Sequence, residues 1–302
     1  MLSNYHAGEI AVQRRAGVEE LAQRTGRGIR STIPPVAQEF LRSQPMVIVG
    51  TVDGDRRVWA SLLTGEPGFM QAVDEQTLRI DSRIVPGDPL HANLKKGAPV
   101  GLLAIEPARR RRMRLNGEVQ MLKEGALYVR ARQVYANCPK YIQAREWQAD
   151  AITPLQATEV WRGTQLTAEQ QDRIKSADTF FIASAHQQAG ADASHRGGPP
   201  GFVRVAGSNK LMWGDYPGNG MFQTLGNIAV NPSAGLLFID WERGSTLQLT
   251  GRARIVWDRE LFAGFAGAER AVEFAVDEVI EIRGATRLRW RFLEYSPFNP
   301  PR

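Results

Sequence analysis

The sequence predicts a mainly β protein of the α+β class, two barrels in tandem with helices at their flanks. Three observations carry that reading. The chain repeats itself at an offset of about 131 to 134 residues: "SLLTGEPGF" from Ser61 lies over "SHRGGPPGF" from Ser194, "PGDPLHANL" from Pro86 over "PGNGMFQTL" from Pro217, "GAPVGLLAIE" over "NPSAGLLFID", and "MRLNGEVQML" over "LQLTGRARIV". Apolar runs such as "MVIVGTV", "RVWASLL", "VGLLAIE" and "LYVRARQVY" are short, rich in β-branched and aromatic residues, and punctuated by Gly, Pro and Asp at spacings suited to antiparallel pairing. With about six such runs per copy they outnumber the helical segments, which suggests a closed or nearly closed barrel in each.

The helices have their own signals. "DPLHANLKKG" in copy one and "GNGMFQTLGNIAVNP" in copy two each read as one short helix, the second with Met221, Phe222, Leu225 and Ile228 at helical spacing. "IPPVAQEFLRSQ" opens with Pro34 and Pro35 where a first turn tolerates proline, and "TAEQQDRIKSA" carries a capping box at Thr167 and Gln170. "NCPKYIQAREWQADAITPLQ" reads as a helix followed by a linker. The expected organisation is an N-terminal helical extension over 1–33, a first barrel with a trailing helix over 34–155, and a second barrel over 156–302, the barrels proper spanning about 34–135 and 165–295.

Composition narrows the function classes. The 302 residues hold 43% hydrophobic residues, but no apolar run approaches the ~18 needed to cross a bilayer, and the amino terminus lacks the apolar core of a signal peptide. A cytoplasmic protein with no membrane partner is expected. One cysteine, Cys138, excludes an intrachain disulfide, and His6, His91, His186 and His195 show no metal-ligand spacing. A net charge of +6 favours anionic ligands. The densest basic run, "RRRRMR" from Arg109 to Arg114, lies between two strands and reads as an exposed hairpin tip or as a phosphate-contacting patch; nucleic acid is not the expected partner. No Ser-His-Asp order, paired carboxylates or Walker loop points to hydrolysis or phosphoryl transfer.

If both copies share a backbone, the positions at which they differ separate function from scaffold. His195, Arg196 and Gly197 stand over Leu62, Leu63 and Thr64, so the polar trio beside Ser194 is special to copy two and reads as an anion-binding loop, or as a solvated one. "WGDYPGNGMFQTLGN" then takes a strand end, with Trp213, Gly214, Asp215 and Tyr216, through a Gly-rich turn at Asn219 into a helix. Its first turns offer backbone N–H groups, with Thr224 and Asn227 as side-chain donors. Cys138 reads either as a thiol of lowered pKa beside Lys140 or as a small buried residue at a helix start.

Together "DASHRGGPPGFVRV", "DYPGNGMFQTLGNIAVNPSAGLLFID" and "LQLTGRARIV" resemble the FMN-binding split barrel of pyridoxamine 5'-phosphate oxidase-like proteins. "YHAGEIAVQRRAGV" and "NCPKYIQ" resemble a tandem, two-barrel subgroup, and the likeness covers nearly the whole chain. The resemblance implies an FMN phosphate held by a strand arginine and by groups at the start of the short helix, with the flavin ring at a barrel–barrel interface. The resemblance matches Arg196 in the S-x-R context of Ser194, and Trp213, Gly214, Thr224 and Thr246. With the residues read above, the expected cofactor contacts also take in His195, Gly197, Asp215, Asn219 and Asn227, with His195 reading equally as a structural histidine and Lys140 and Tyr141 reaching in from the other barrel. Gly220 stands where related sequences often carry arginine, and the paired Arg-Lys of true pyridoxamine phosphate oxidases is missing, a departure that argues against vitamin B6 oxidation.

The implied protein is an FMN-dependent oxidoreductase acting on a small molecule, with a nicotinamide cofactor or another electron donor, and a homodimer is the expected assembly. The competing readings are a flavin- or haem-binding protein without turnover and a nucleic-acid binder using Arg109 to Arg112. The two copies are expected to superpose, with one FMN per chain and its phosphate contacts supplied by copy two alone.

Overall fold

The structure, a computed structural model, describes residues 4–149 and 158–300. The chain opens with helices α1 (Ala7–Ala16), α2 (Glu19–Gly26) and α3 (Pro35–Ser43). The first half then lays down β1 (Met46–Val52), β2 (Val58–Thr64), β3 (Met70–Ala72), β4 (Thr77–Asp81), the short helix α4 (Leu90–Asn93), β5 (Pro99–Glu106), β6 (Arg111–Lys123) and β7 (Ala126–Asn137). β8 (Ala144–Trp147), β9 (Glu159–Gly163) and α5 (Ala168–Ser176) lead into the second half. That half consists of β10 (Thr179–His186), β11 (Gly190–Gly197), β12 (Val203–Val205), β13 (Lys210–Asp215), α6 (Gln223–Val230), β14 (Ser233–Ile239), β15 (Thr246–Val256) and β16 (Arg270–Arg283), and β17 (Trp290–Glu294) closes the chain.

The two antiparallel sheets have the same strand order, β2-β1-β5-β6-β7-β4-β3 and β11-β10-β14-β15-β16-β13-β12. The likeness extends to register. Met46 pairs with Thr64 as Thr179 pairs with Gly197, and a bulge falls at Asn116/Gly117 in one half and Thr250/Gly251 in the other. At both bulges a Cβ on the glycine would collide with a carbonyl oxygen of the neighbouring strand, Arg130 or Ala275, so the repeat of glycine there is a packing requirement. The capping box of α5 forms as predicted, Thr167 accepting from the Gln170 N–H at 3.2 Å and Gln170 from the Thr167 N–H at 3.0 Å.

Strand alternation explains how the halves join. Val47 and Val49 of β1 point into the first barrel's core, while Met46 and Ile48 point the other way, into a cluster shared with the second half. β10 does the same, with Phe180 and Ile182 inside its own barrel and Phe181 and Ala183 in the shared cluster. A strand buried on both faces has no polar side to show, which is why "MVIVG" and "TFFIA" are continuous apolar runs. Leu62, Leu103, Leu237, Ile239 and Trp290 complete the shared cluster, and each large side chain buried there contributes about 1.5–3 kcal/mol.

The segment after Cys138 departs from the expected helix. Pro139 has no N–H to donate and Tyr141 lies at φ 67, so the chain turns instead of coiling, and Ala144–Trp147 forms β8 against β17. The expected boundary near residue 155 lies outside the described residues. No helix among the described residues is long and apolar enough to cross a membrane.

The N-terminal "YHAGE" turn and α1 pack on α6. His6 caps α1, its Nδ1 accepting from the Gly8 N–H at 3.1 Å, and Glu9 accepts from the His6 N–H at 2.7 Å. Gln13 Nε2 donates to the Met221 carbonyl at 3.0 Å, so α1 grips the turn that leads into α6. Burial pushes the Glu9 carboxyl up to about 8, with the His6 N–H opposing the rise and Asp192 adding to it. Because the unfolded carboxyl releases its proton near its ordinary value of 4.5 and the folded one only near 8, Glu9 costs stability that grows as pH rises through that window. Glu9→Gln removes the cost: its melting temperature relative to the parent protein should be a few degrees higher at pH 8 than at pH 5. Equal differences at the two pH values would show that Glu9 does not carry this burden.

Candidate anion-binding site

"SHRGG" is not a loop. Ser194, His195, Arg196 and Gly197 form the end of β11, an edge strand paired only with β10, and the glycine- and proline-rich turn begins at Gly198. Alternation puts Asp192, Ser194 and Arg196 on one face and His195 on the other. β11 lies across β5 and β6 of the first half, and the run Arg109 to Arg114, expected to stand in solvent or to form a patch, is divided by that contact. Arg109, Arg110 and Arg111 pair with Glu106 or Glu294 outside, whereas Arg112 and Arg114 turn inward toward β11.

Arg114 Nη1 donates to Asp192 Oδ1 at 3.0 Å, and its Nη2 donates to Ser194 Oγ. Arg112 Nη1 donates to His195 Nδ1 at 2.8 Å. Arg196 Nη2 stands 3.8 Å from Asp215 Oδ1, a loose contact, while Arg270 Nη1 donates to Asp215 Oδ2 at 3.2 Å and its Nη2 to Glu269. Arg112, Arg114, Ser194, His195, Arg196 and Asp215 line a pocket of about 90 Å³ whose wall also includes Asn137, Cys138, Lys140, Tyr141, Trp213 and Asn219. Both halves of the chain contribute to it, so the pocket expected from copy two alone is also lined by Arg112 and Arg114 of copy one.

The electrostatics are unbalanced. Four guanidinium groups, Arg112, Arg114, Arg196 and Arg270, meet two buried carboxylates, Asp192 and Asp215, and the half-exposed Glu269. Arg112 has no carboxylate partner among the described residues, and burial, then Arg114 and Arg196, push its pKa down to about 9. Burial lowers Arg196 as well, with Asp215 holding it up; burial raises the Asp215 carboxyl, with Arg196 and Arg270 pulling it back. The Nε atoms of all four arginines, Trp213 Nε1, Asn137 Nδ2 and Gln223 Nε2 are buried without a hydrogen-bond partner. Unsatisfied donors gathered around surplus positive charge are the complement of an oxyanion.

The structure brings together most of the sequence-predicted residues, with three departures. Thr246 lies elsewhere. It starts β15 on the face that carries Gln248, which reaches Ala60 and Ser61 of the first half, so Thr246 belongs to the matching junction on the other side of the molecule. Asn227 is taken up by Ser184 at 3.0 Å and His6 at 2.9 Å, in a separate small cavity beside Glu9. Thr224 borders the site but donates to Asp192 at 3.3 Å, so it is not a free donor. Tyr141 spans the mouth, its hydroxyl donating to the Pro217 carbonyl at 3.0 Å and its ring tilted against Tyr216, and Lys140 lies over the Phe298 ring. Gly197 and Gly214 make room for the Tyr141 carbonyl and the Tyr216 ring rather than for open space. Cys138 is half-buried at the rim and precedes a turn, not a helix.

Asn137, Asp192, Gln223 and Arg270 were missed by the sequence reading, and Arg112 and Arg114 entered it only as members of the basic run and not as residues of this site. The signal for two of them was present: Arg114 stands over Gln248, and Arg112 over Thr246, in the same repeat that singled out His195 and Arg196.

The family model for pyridoxamine 5'-phosphate oxidase matches the chain twice, over residues 33–162 and 166–290. No curated protein matches. Among solved structures, HupZ of Group A Streptococcus is 17% identical with a TM-score of 0.31, covering 37% of this chain and 90% of its own. An FMN-binding protein from Syntrophomonas wolfei is 8% identical with a TM-score of 0.29 over 37% and 84% of the two chains. An FAD binding protein from Mycobacterium smegmatis is 15% identical with a TM-score of 0.29 over 40% and 98%.

His195 gives the site a direct spectroscopic test. Guanidinium can only donate, so Nδ1 accepts and a neutral ring carries its proton on Nε2. Burial, then Arg112 and Arg196, hold its pKa well below the ordinary 6.5. The unfolded histidine takes up a proton there and the folded one does not, so the residue withdraws stability as pH falls below 6.5. Ring ¹⁵N shifts should report the Nε2–H tautomer at neutral pH and stay unchanged as the pH is lowered through 6.5. An imidazolium already formed above that value would overturn the assignment.

Proposed function

The chain belongs to the pyridoxamine 5'-phosphate oxidase family, and from that premise we propose that it is an FMN-binding oxidoreductase whose cofactor phosphate is held between its two halves by Arg112 and Arg196. The observation that carries this reading is the cluster of buried guanidinium groups with too few carboxylates and unused N–H donors. A phosphate dianion supplies both missing quantities, negative charge and acceptor oxygens, and the guanidinium fork suits it better than an ammonium would. The pocket of about 90 Å³ offers room for a compact oxyanion such as the phosphate of FMN.

A groove of about 990 Å³ opens beside the pocket, shares Arg112 and Asn137 with it, and has Phe40, Trp147 and Trp290 in its walls. It offers room and aromatic surface for the flavin ring and a small substrate. Bound there, FMN would supply the redox chemistry, with a reduced nicotinamide as a suitable donor. The protein's part is orientation and charge: Arg112 and Arg196 anchor the phosphate, neutral His195 holds Arg112 in place, and Tyr141 covers the mouth. Residues from both halves of a single chain line the pocket.

The test is a titration of apo-protein with FMN. Saturation is expected at one equivalent per chain, with Arg196→Ala and Arg112→Ala each weakening binding by about 2 kcal/mol or more, the scale of a lost charge-assisted contact. Arg254→Ala, an exposed partner of Glu273 on the second barrel, should bind as the parent protein does. Full binding by both pocket variants would remove the phosphate from this site. Turnover with reduced nicotinamide separates an oxidoreductase from a flavin carrier, and a Soret band in place of the flavin doublet would indicate haem.

A further inference from the structure

The repeat makes a second junction, related to the site just described by exchange of the halves, and that junction is closed. Ser61 stands for Ser194, Gln248 for Arg114, Leu63 for Arg196, and Asp88 for Asn219. Here the Asp88 carboxylate is the anion. Its Oδ1 accepts from Ser61 Oγ at 2.6 Å and from the Leu90 N–H at 2.8 Å, and its Oδ2 accepts from Gln248 Nε2 at 3.2 Å. Ser61 and Gln248 are fully buried and Asp88 nearly so.

In the second half the same turn is present, the Met221 N–H donating to Asn219 Oδ1 at 3.1 Å as Leu90 does to Asp88. The Asn219 side chain does not go on to Ser194. Its Nδ2 donates to Asn137 at 3.0 Å and approaches Met221 Sδ, and the space it leaves belongs to the pocket that Arg114, Ser194 and Asn219 all line. Arg114, nine-tenths buried, keeps an unpartnered Nε there. We propose that Asp88 is an internal substitute for a ligand's oxyanion, so that the residue pair Asp88/Asn219 decides which junction accepts an anionic ligand, and that the open subsite lies where Ser194 Oγ, Arg114 and Asn219 line the same pocket as Arg112 and Arg196. The proposal rests on reading the second-half pocket as an anion site. It adds the location of the anion and the residue that keeps its place free.

Asn219→Asp installs the carboxylate that closes the first junction. It should weaken FMN binding at least about tenfold and abolish the rise in melting temperature that inorganic phosphate gives the parent protein. Gln188→Asp, which adds the same charge on an exposed turn, should do neither. The first junction is tested separately. Asp88→Ala leaves Ser61, Gln248 and the Leu90 N–H without their acceptor, and its lowered melting temperature should be restored by formate but not by chloride at equal ionic strength. An Asn219→Asp protein that keeps the phosphate response, or an Asp88→Ala protein indifferent to formate, overturns the proposal. If phosphate stabilises the parent protein and Asn219→Asp abolishes that response, while FMN binds neither, the flavin reading fails and the anion subsite stands.

Discussion

The two halves can meet only because two backbones come closer than side chains allow. A Cβ on Gly101 of β5 would lie 2.5 Å from the Asp192 Cα of β11, and one on Gly235 of β14 would lie 2.7 Å from the Trp59 Cα of β2. Gly101 and Gly235 are the same position of the repeat, as are Asp192 and Trp59, so the contact is made twice, once in each direction. This approach sets β11 across β5 and β6, and β2 across β14 and β15. It buries the outer faces of β1 and β10, and it creates two junctions at which a strand of one half supplies side chains to the edge strand of the other. Either junction is lost if the halves separate or slip in register, because a slip of one residue turns each strand's side chains to the opposite face.

What fills the junctions differs, and the difference is electrostatic. One is closed by Trp59, Leu63, Gln248 and a single carboxylate with three donors, and it leaves Gln248 Oε1 unpaired but no buried guanidinium. The other holds four guanidinium groups and leaves the Nε of each unpaired. A charge taken out of water without a partner costs several kcal/mol, and a half-satisfied buried network is less stable than an apolar core of the same shape. The first junction shows that this scaffold also closes without any guanidinium, around one internal carboxylate. Retaining the costly one in the second half therefore makes sense where a ligand completes it.

The repeat, the barrel in each half and the capped helix α5 were legible in the sequence because each depends on local pattern: alternation of apolar residues, glycine at bulges, and the T-x-x-Q of Thr167 and Gln170. Ser194 and Arg196 were legible by contrast with the first copy and by the family resemblance, but as part of a loop; the strand that puts residues two apart on one face was not. β8 was not. Its partner β17 lies more than 140 residues onward, and nothing near Ala144 announces it. The arginine run was misread because a block of like charge suggests solvent, whereas on a strand it sends alternate members in opposite directions, Arg111 out to Glu106 and Arg112 in to His195. Thr246 and Asn227 were placed by analogy of motif. Contact across the junction, which no single segment encodes, assigned Thr246 to the other side and tied Asn227 to His6.

Carrying both halves on one chain is what allows the junctions to differ. In a symmetric pair of identical subunits every substitution appears at both sites, so closing one closes the other. Here Asp88 and Asn219 are separate residues, and so are Leu63 and Arg196. The asymmetry reaches beyond the junctions, because the N-terminal helix α1 packs on α6 of the second half, while its counterpart α4 is a helix of only four residues. α1 brings Gln13 to the Met221 carbonyl and Glu9 within electrostatic reach of Asp192 and Arg114. The turn carrying Asn219 and Met221 is thus held from behind by a segment that lies outside both barrels.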